Sequence, residues 1–135
     1  MTAEPGAPTE SPEPLALIES AILETQRGIL PITELLRAFM DTELILPSAA
    51  PAESLQTIEP LLWDQDGAKL VGVFTHPDRA LPFADMTPHL ALMSGRKAVS
   101  IISQTAGLLV NPGSQYFSFV IPPVAAASMR KEFGV

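Results

Sequence analysis

The chain has 135 residues, no cysteine, two histidines, and 47% hydrophobic against 17% charged side chains. One domain of that length has enough apolar side chain for a core, so two full domains, disorder throughout, a disulfide framework and a thiol nucleophile are excluded. Twelve acids face two bases up to Gly67 and three acids face six bases from Ala68 on, leaving −10 and +3 within a net −7; an acidic whole with its bases in scattered pairs argues against a nucleic-acid partner.

Residues 1–14 hold four prolines and no aromatic residue, so ordering them costs entropy with little burial to offset it, and a disordered tail is expected ahead of a single domain over 15–135. Glu4, Glu10, Glu13, Glu19 and Glu24 fall in that tail and the first helix, where solvent would screen them. Glutamates stand where a signal peptide carries lysines, and no apolar run approaches the roughly 18 residues a bilayer needs, so no membrane partner and a soluble, cytoplasmic chain are expected.

Leu15, Ile18 and Ile22 recur at helical spacing between a start at Ser11-Pro12 and a stop at Arg27-Gly28. After Pro31, Ile32, Leu35, Leu36 and Phe39 form the inward stripe of a second helix. Glu43 to Leu46 is a strand stopped by Pro47, followed by a loop over Ser48 to Ser54. Leu61 to Trp63 and Leu70 to Phe74 flank Asp64-Gln65-Asp66-Gly67, the signal of an antiparallel hairpin. Leu70, Val71, Val73 and Phe74 are apolar on both faces, as in a central strand covered from each side.

Thr75 or His76 caps a short helix with Pro77 in its first turn, ended by Pro82. His89 to Leu92 is a brief strand. Ser94 then starts a long helix with inward Ala98, Ile101, Ile102 and Thr105, and Gly107 just past its end. Leu108 to Val110 is a strand closed by Asn111-Pro112-Gly113, Tyr116 to Ile121 alternates as another, and a helix from Pro123 to Phe133 completes the chain. The pattern predicts an α/β (α+β) domain: a mixed sheet of about five or six strands, with helices on both faces.

Three stretches, ELILP (Glu43 to Pro47), LVGVFTHPDRA (Leu70 to Ala80) and GLLVNPGS (Gly107 to Ser114), taken in order, resemble the N-terminal domain of the SseB family, the enhanced serine sensitivity proteins, loosely also called type III secretion SseB-like. The resemblance covers roughly residues 15 to 125. His76 stands where that family more often has a serine-like cap, and Asp78 where glutamate is frequent; both keep the capping physics. The resemblance implies no catalytic residues and no cofactor, and longer members carry a second, C-terminal domain whose role it does not transfer.

The residues themselves offer little chemistry. His76 oriented by Asp78 makes a thin general base, against a plain helix start. His89, Asp85 and His76 fall one ligand short of a closed metal set. Ser94 and Ser114 lack a G-x-S-x-G elbow, and the glycines form no phosphate-binding pattern. Two functions follow. The leading one is a non-catalytic interaction domain that holds a protein partner, or a second copy in a homodimer, at a sheet edge or the surface formed by Phe74, Thr75, His76, Asp78, Arg79, Asn111, Gly113 and Tyr116. The alternative is a small-metabolite or anion binder, at most weakly enzymatic, built on His76, Arg79, Arg96 and Lys97.

Overall fold

A computed structural model describes residues 10–135; of the tail expected over residues 1–14, residues 1–9 lie outside the described residues. Five helices, α1 (Leu17–Gln26), α2 (Ile32–Met40), α3 (Pro77–Ala80), α4 (Gly95–Ile101) and α5 (Pro123–Phe133), accompany six strands, β1 (Glu43–Ser48), β2 (Leu62–Gln65), β3 (Ala68–Val73), β4 (His89–Ser94), β5 (Ala106–Val110) and β6 (Phe119–Ile121). The strands form a mixed four-stranded sheet in the order β2-β3-β5-β6, in which β3 and β5 run parallel, and an antiparallel β1-β4 pair. Ile45 and Phe74 exchange backbone hydrogen bonds of 2.8 Å in both directions, which ties the pair to the end of β3. The fold is α+β, as the sequence pattern predicts.

The hairpin turn falls at Asp66-Gly67, both at positive φ (53° and 83°), the geometry that matches strand twist in a two-residue reversal. Alternation then sorts β3 and its neighbours. Val71, Val73, Leu108, Val110 and Ile121 share one face and join Ile18, Ile22, Leu35, Phe39, Ala98, Val99, Ala126 and Met129 in a single core. The other face carries Trp63 over Gly72, and Phe83, from a short 3₁₀ turn (Leu81–Phe83), meets that indole edge-on at 5.8 Å. Cover is therefore unequal: α1, α2, α4 and α5 build one side, and only the short segment at 77–83 the other.

Several boundaries shift from expectation, each for a local reason. β1 runs through Pro47 to Ser48. The hydrogen bonds of Ile45 point to Phe74, so those of Pro47, two residues on, also face away from β4, and the missing N–H costs the β1-β4 ladder nothing. α4 ends at Ile101 rather than near Thr105, because the Arg130 guanidinium crosses to the carbonyls of Val99 and Gln104, both at 3.2 Å, and satisfies that end without a glycine. Gly107 lies inside β5, where a Cβ would strike the carbonyl of Ile121. Gly95 opens α4 for the same kind of reason: the backbone of Phe39 in α2 leaves no room for a side chain. α1 begins at Leu17, and Ile32, expected inward, is 52% exposed.

Candidate interaction site

β3 and β5, being parallel, deliver their carboxyl ends side by side, the place where open sheets of this kind tend to hold ligands. β3 runs into Thr75 and β5 into Asn111. Asn111 takes φ 51°, which asparagine tolerates, and its N–H reaches the carbonyl of Val73 at 2.8 Å. Its amide side chain accepts from the Thr75 N–H at 3.0 Å and donates to the Thr75 hydroxyl at 2.9 Å and to the Phe117 carbonyl at 3.0 Å. The Ser114 hydroxyl accepts the Phe117 N–H at 3.0 Å. These side-chain bonds hold 114–117 as a loop, so the last strand begins at Phe119 and Tyr116 lies outside it.

Glu19 of α1 closes this corner. It is fully buried, although its early, acidic neighbourhood pointed to solvent. Its carboxylate accepts from the Thr75 hydroxyl at 2.6 Å, the Leu15 N–H at 2.8 Å, and Arg79 Nη2 and Nε at 2.7 and 3.2 Å. Burial alone would raise the Glu19 carboxyl, yet the hydrogen bonds from Arg79, Leu15 and Thr75 outweigh it and hold the group below its ordinary value of 4.5. The Glu19 hydrogen bond is likewise the main cause that raises Arg79. The guanidinium lies 4.3 Å from the Phe117 ring centre, so it is stacked as well as paired.

One more acid reaches Arg79. Glu10 sits 3.8 Å from Nη1 and accepts from the Ser114 hydroxyl at 2.8 Å and the Tyr116 N–H at 2.9 Å, while Arg79 Nη2 donates to the Glu13 carbonyl at 3.3 Å. Beside Glu10 opens a cavity of about 170 Å³ walled by Pro82, Phe83, Pro112 and Gly113.

Of the eight residues expected to present a surface, Phe74, Thr75 and Asn111 are buried and shape the corner from beneath. Arg79 and Tyr116 are half-buried; Asp78 and Gly113 are exposed. His76 caps α3, its Nδ1 accepting the Asp78 N–H at 3.1 Å. Arg96 and Lys97 stand elsewhere, at the start of α4, where Arg96 bonds Asp41 at 3.2 Å and lies over Phe133. The anion-binding quartet is thus split between two networks. Sequence reasoning missed Glu10, Glu19, Ser114 and Phe117. The signal for Glu19 was present, because it stands four residues after Leu15 and three before Ile22, inside the apolar stripe.

A second region differs in kind. β4 is the outer strand of its pair, and among the described residues no backbone group of Leu90 to Met93 bonds anything but β1. Its sequence, HLALMS, carries no formal charge. Leu90 and Leu92 are 47% and 60% exposed, and Leu90 shares a shallow groove with Leu81, Ala84 and Pro88.

No helix among the described residues is long and apolar enough to cross a membrane. No curated protein and no solved structure matches the chain. A family model does: that of the SseB protein N-terminal domain matches residues 18–126, a span that takes in α1 from its second residue, the six strands and the Thr75–Asn111 corner, and the chain belongs to that family.

Proposed function

We propose that the protein is a non-catalytic interaction domain that takes an extended strand of a protein partner along the outer edge of β4. The observation that supports this is an unprotected edge. Sheet edges usually carry lysine, proline or a bulge against pairing, and here six uncharged residues leave one row of backbone groups open, with Leu90 and Leu92 turned to solvent beside it. An added strand would find main-chain hydrogen bonds for affinity, and the two leucines, with the Leu81 groove alongside, for side-chain selection.

The test compares the native chain with Leu92→Lys, which places a charge on the edge without touching the core. Affinity capture with crosslinking from native lysate should recover a stoichiometric partner on the native chain and lose it on the variant. Light scattering shows whether that partner is a second copy. A native chain that stays monomeric and captures nothing sinks the proposal, as does a partner that Leu92→Lys retains at full strength.

A further inference from the structure

The corner around Arg79 binds a carboxylate already, and the carboxylate belongs to a segment with no helix or strand of its own. Ser114 and the Tyr116 amide both donate to Glu10 Oε1, and Arg79 Nη1 stands beside Oε2. The donors are also held by contacts that do not involve Glu10. Arg79 is fixed in a two-point pair with Glu19 and stacked on Phe117, and the loop carrying Ser114 and Tyr116 is held by the Asn111 amide and the Ser114–Phe117 bond. The Glu10 side chain remains 22% exposed and borders the 170 Å³ cavity, so its seat opens to solvent. The segment leading to α1 makes one further backbone contact with Arg79, through the Glu13 carbonyl.

From this geometry we infer that the Arg79–Ser114–Tyr116 seat is a carboxylate-binding site for acidic peptides, held in cis by Glu10. A peptide glutamate that takes the seat replaces one carboxylate by another, so the nearby charges of Glu19 and Asp78 oppose it no more than they oppose Glu10. What the competitor must overcome is the tether, which gives Glu10 an effective concentration on the order of millimolar. The site is separate from the β4 edge, and its success or failure is independent of that proposal.

The probe is an acetylated peptide with the sequence of residues 10–16, ESPEPLA, titrated into the isotope-labelled full chain while the Tyr116 amide resonance is followed. Glu10→Ala empties the seat and should bind the peptide at least tenfold more tightly than the native chain; Ser114→Ala added to it should lose that gain, and a peptide with glutamine in first place should bind at least tenfold more weakly. Should Glu10→Ala fail to fold, Glu10→Gln takes its place. No shift of the Tyr116 amide, or equal affinities in native chain and variant, overturns the inference. Acetate that shifts the resonance at the same concentration as the peptide overturns the peptide assignment in favour of a small free carboxylate. Leu92→Lys should leave every one of these affinities unchanged, so a failure here is distinguishable from a failure at β4.

Discussion

The corner around Arg79 and the outer edge of β4 both border the short segment 77–83, and they treat polar groups in opposite ways. At the corner the buried polar groups have destinations: Glu19 accepts four hydrogen bonds, and among the described residues no buried side-chain nitrogen or oxygen lacks a partner. At the edge, the outward backbone groups of β4 have no partner among the described residues, and leucines face water. The polar cluster that draws the eye in the sequence is therefore mostly structural, and only its rim, where Glu10 docks, is exchangeable. The plain apolar strand is where unsatisfied bonding capacity lies. Density of polar residues is a poor guide to a binding surface; unmet hydrogen-bonding capacity is a better one.

The largest effect should come from Glu19→Gln. Removing the charge takes away the closer of the two carboxylates at Arg79 and leaves it Glu10, 3.8 Å from Nη1, in a site where its side chain is only 11% exposed; breaking one partner of a buried pair costs about 3 to 5 kcal/mol, and the remaining acid places the expected loss at about the lower end of that range. Denaturant unfolding should show a lower midpoint with an unchanged slope. The double change Glu19→Met with Arg79→Met removes both charges and should be less destabilised than the single one. If instead the single variant unfolds like the native chain, the corner is not the keystone described.

Asn111→Ala comes next. It leaves the buried Thr75 N–H unsatisfied, which costs about 1 to 3 kcal/mol, and asks alanine to hold the left-handed φ of 51°, for roughly another 1 to 2 kcal/mol. Because the same amide holds the Phe117 carbonyl, amide exchange in 114–117 should quicken more than in β5. Exchange that rises uniformly would count against the loop's dependence on this side chain.

A smaller effect is pH-dependent. Glu19 has a folded pKa below its ordinary 4.5, so its contribution is fully present above that value and disappears as pH falls through the folded pKa. The stability gap between the native chain and Glu19→Gln, measured by denaturant unfolding at pH 7, 5, 4 and 3, should be constant down to about pH 5 and then narrow. Parallel curves to pH 3 would show that the carboxylate's surroundings do not favour its charged form.

The strands, the Asp66-Gly67 turn, the His76 cap and the mixed α+β architecture were legible because each is written locally, in alternation, in residues that tolerate positive φ, or in a proline at a first helical turn. The corner was not, because its bonds join residues far apart in the chain: Glu19 to Arg79, Glu10 to Ser114 and Tyr116. The imbalance between an acidic first half and a basic second half gave a partial hint, since Glu19 with Arg79 and Asp41 with Arg96 pair across it. The α4 stop was illegible for a similar reason. It is set by Arg130, some thirty residues on.

The smallest stability effect, and the sharpest contrast with the corner, is expected at Leu92→Lys. The side chain is 60% exposed and its Cα partner across the ladder is Ile45, whose own burial rests on Phe74 and Ala80, so the fold should change by no more than about 0.5 kcal/mol. Its effect on partner uptake should be large all the same, because an edge lysine must be desolvated when another strand pairs there. A variant as stable as the native chain that has lost its partner separates folding from function at this strand, as no substitution at Glu19 or Asn111 can. A variant that loses several kcal/mol instead would mean that Leu92 supports the core, and that the outer edge of β4 is covered in a way that leaves no row of free backbone groups for another strand.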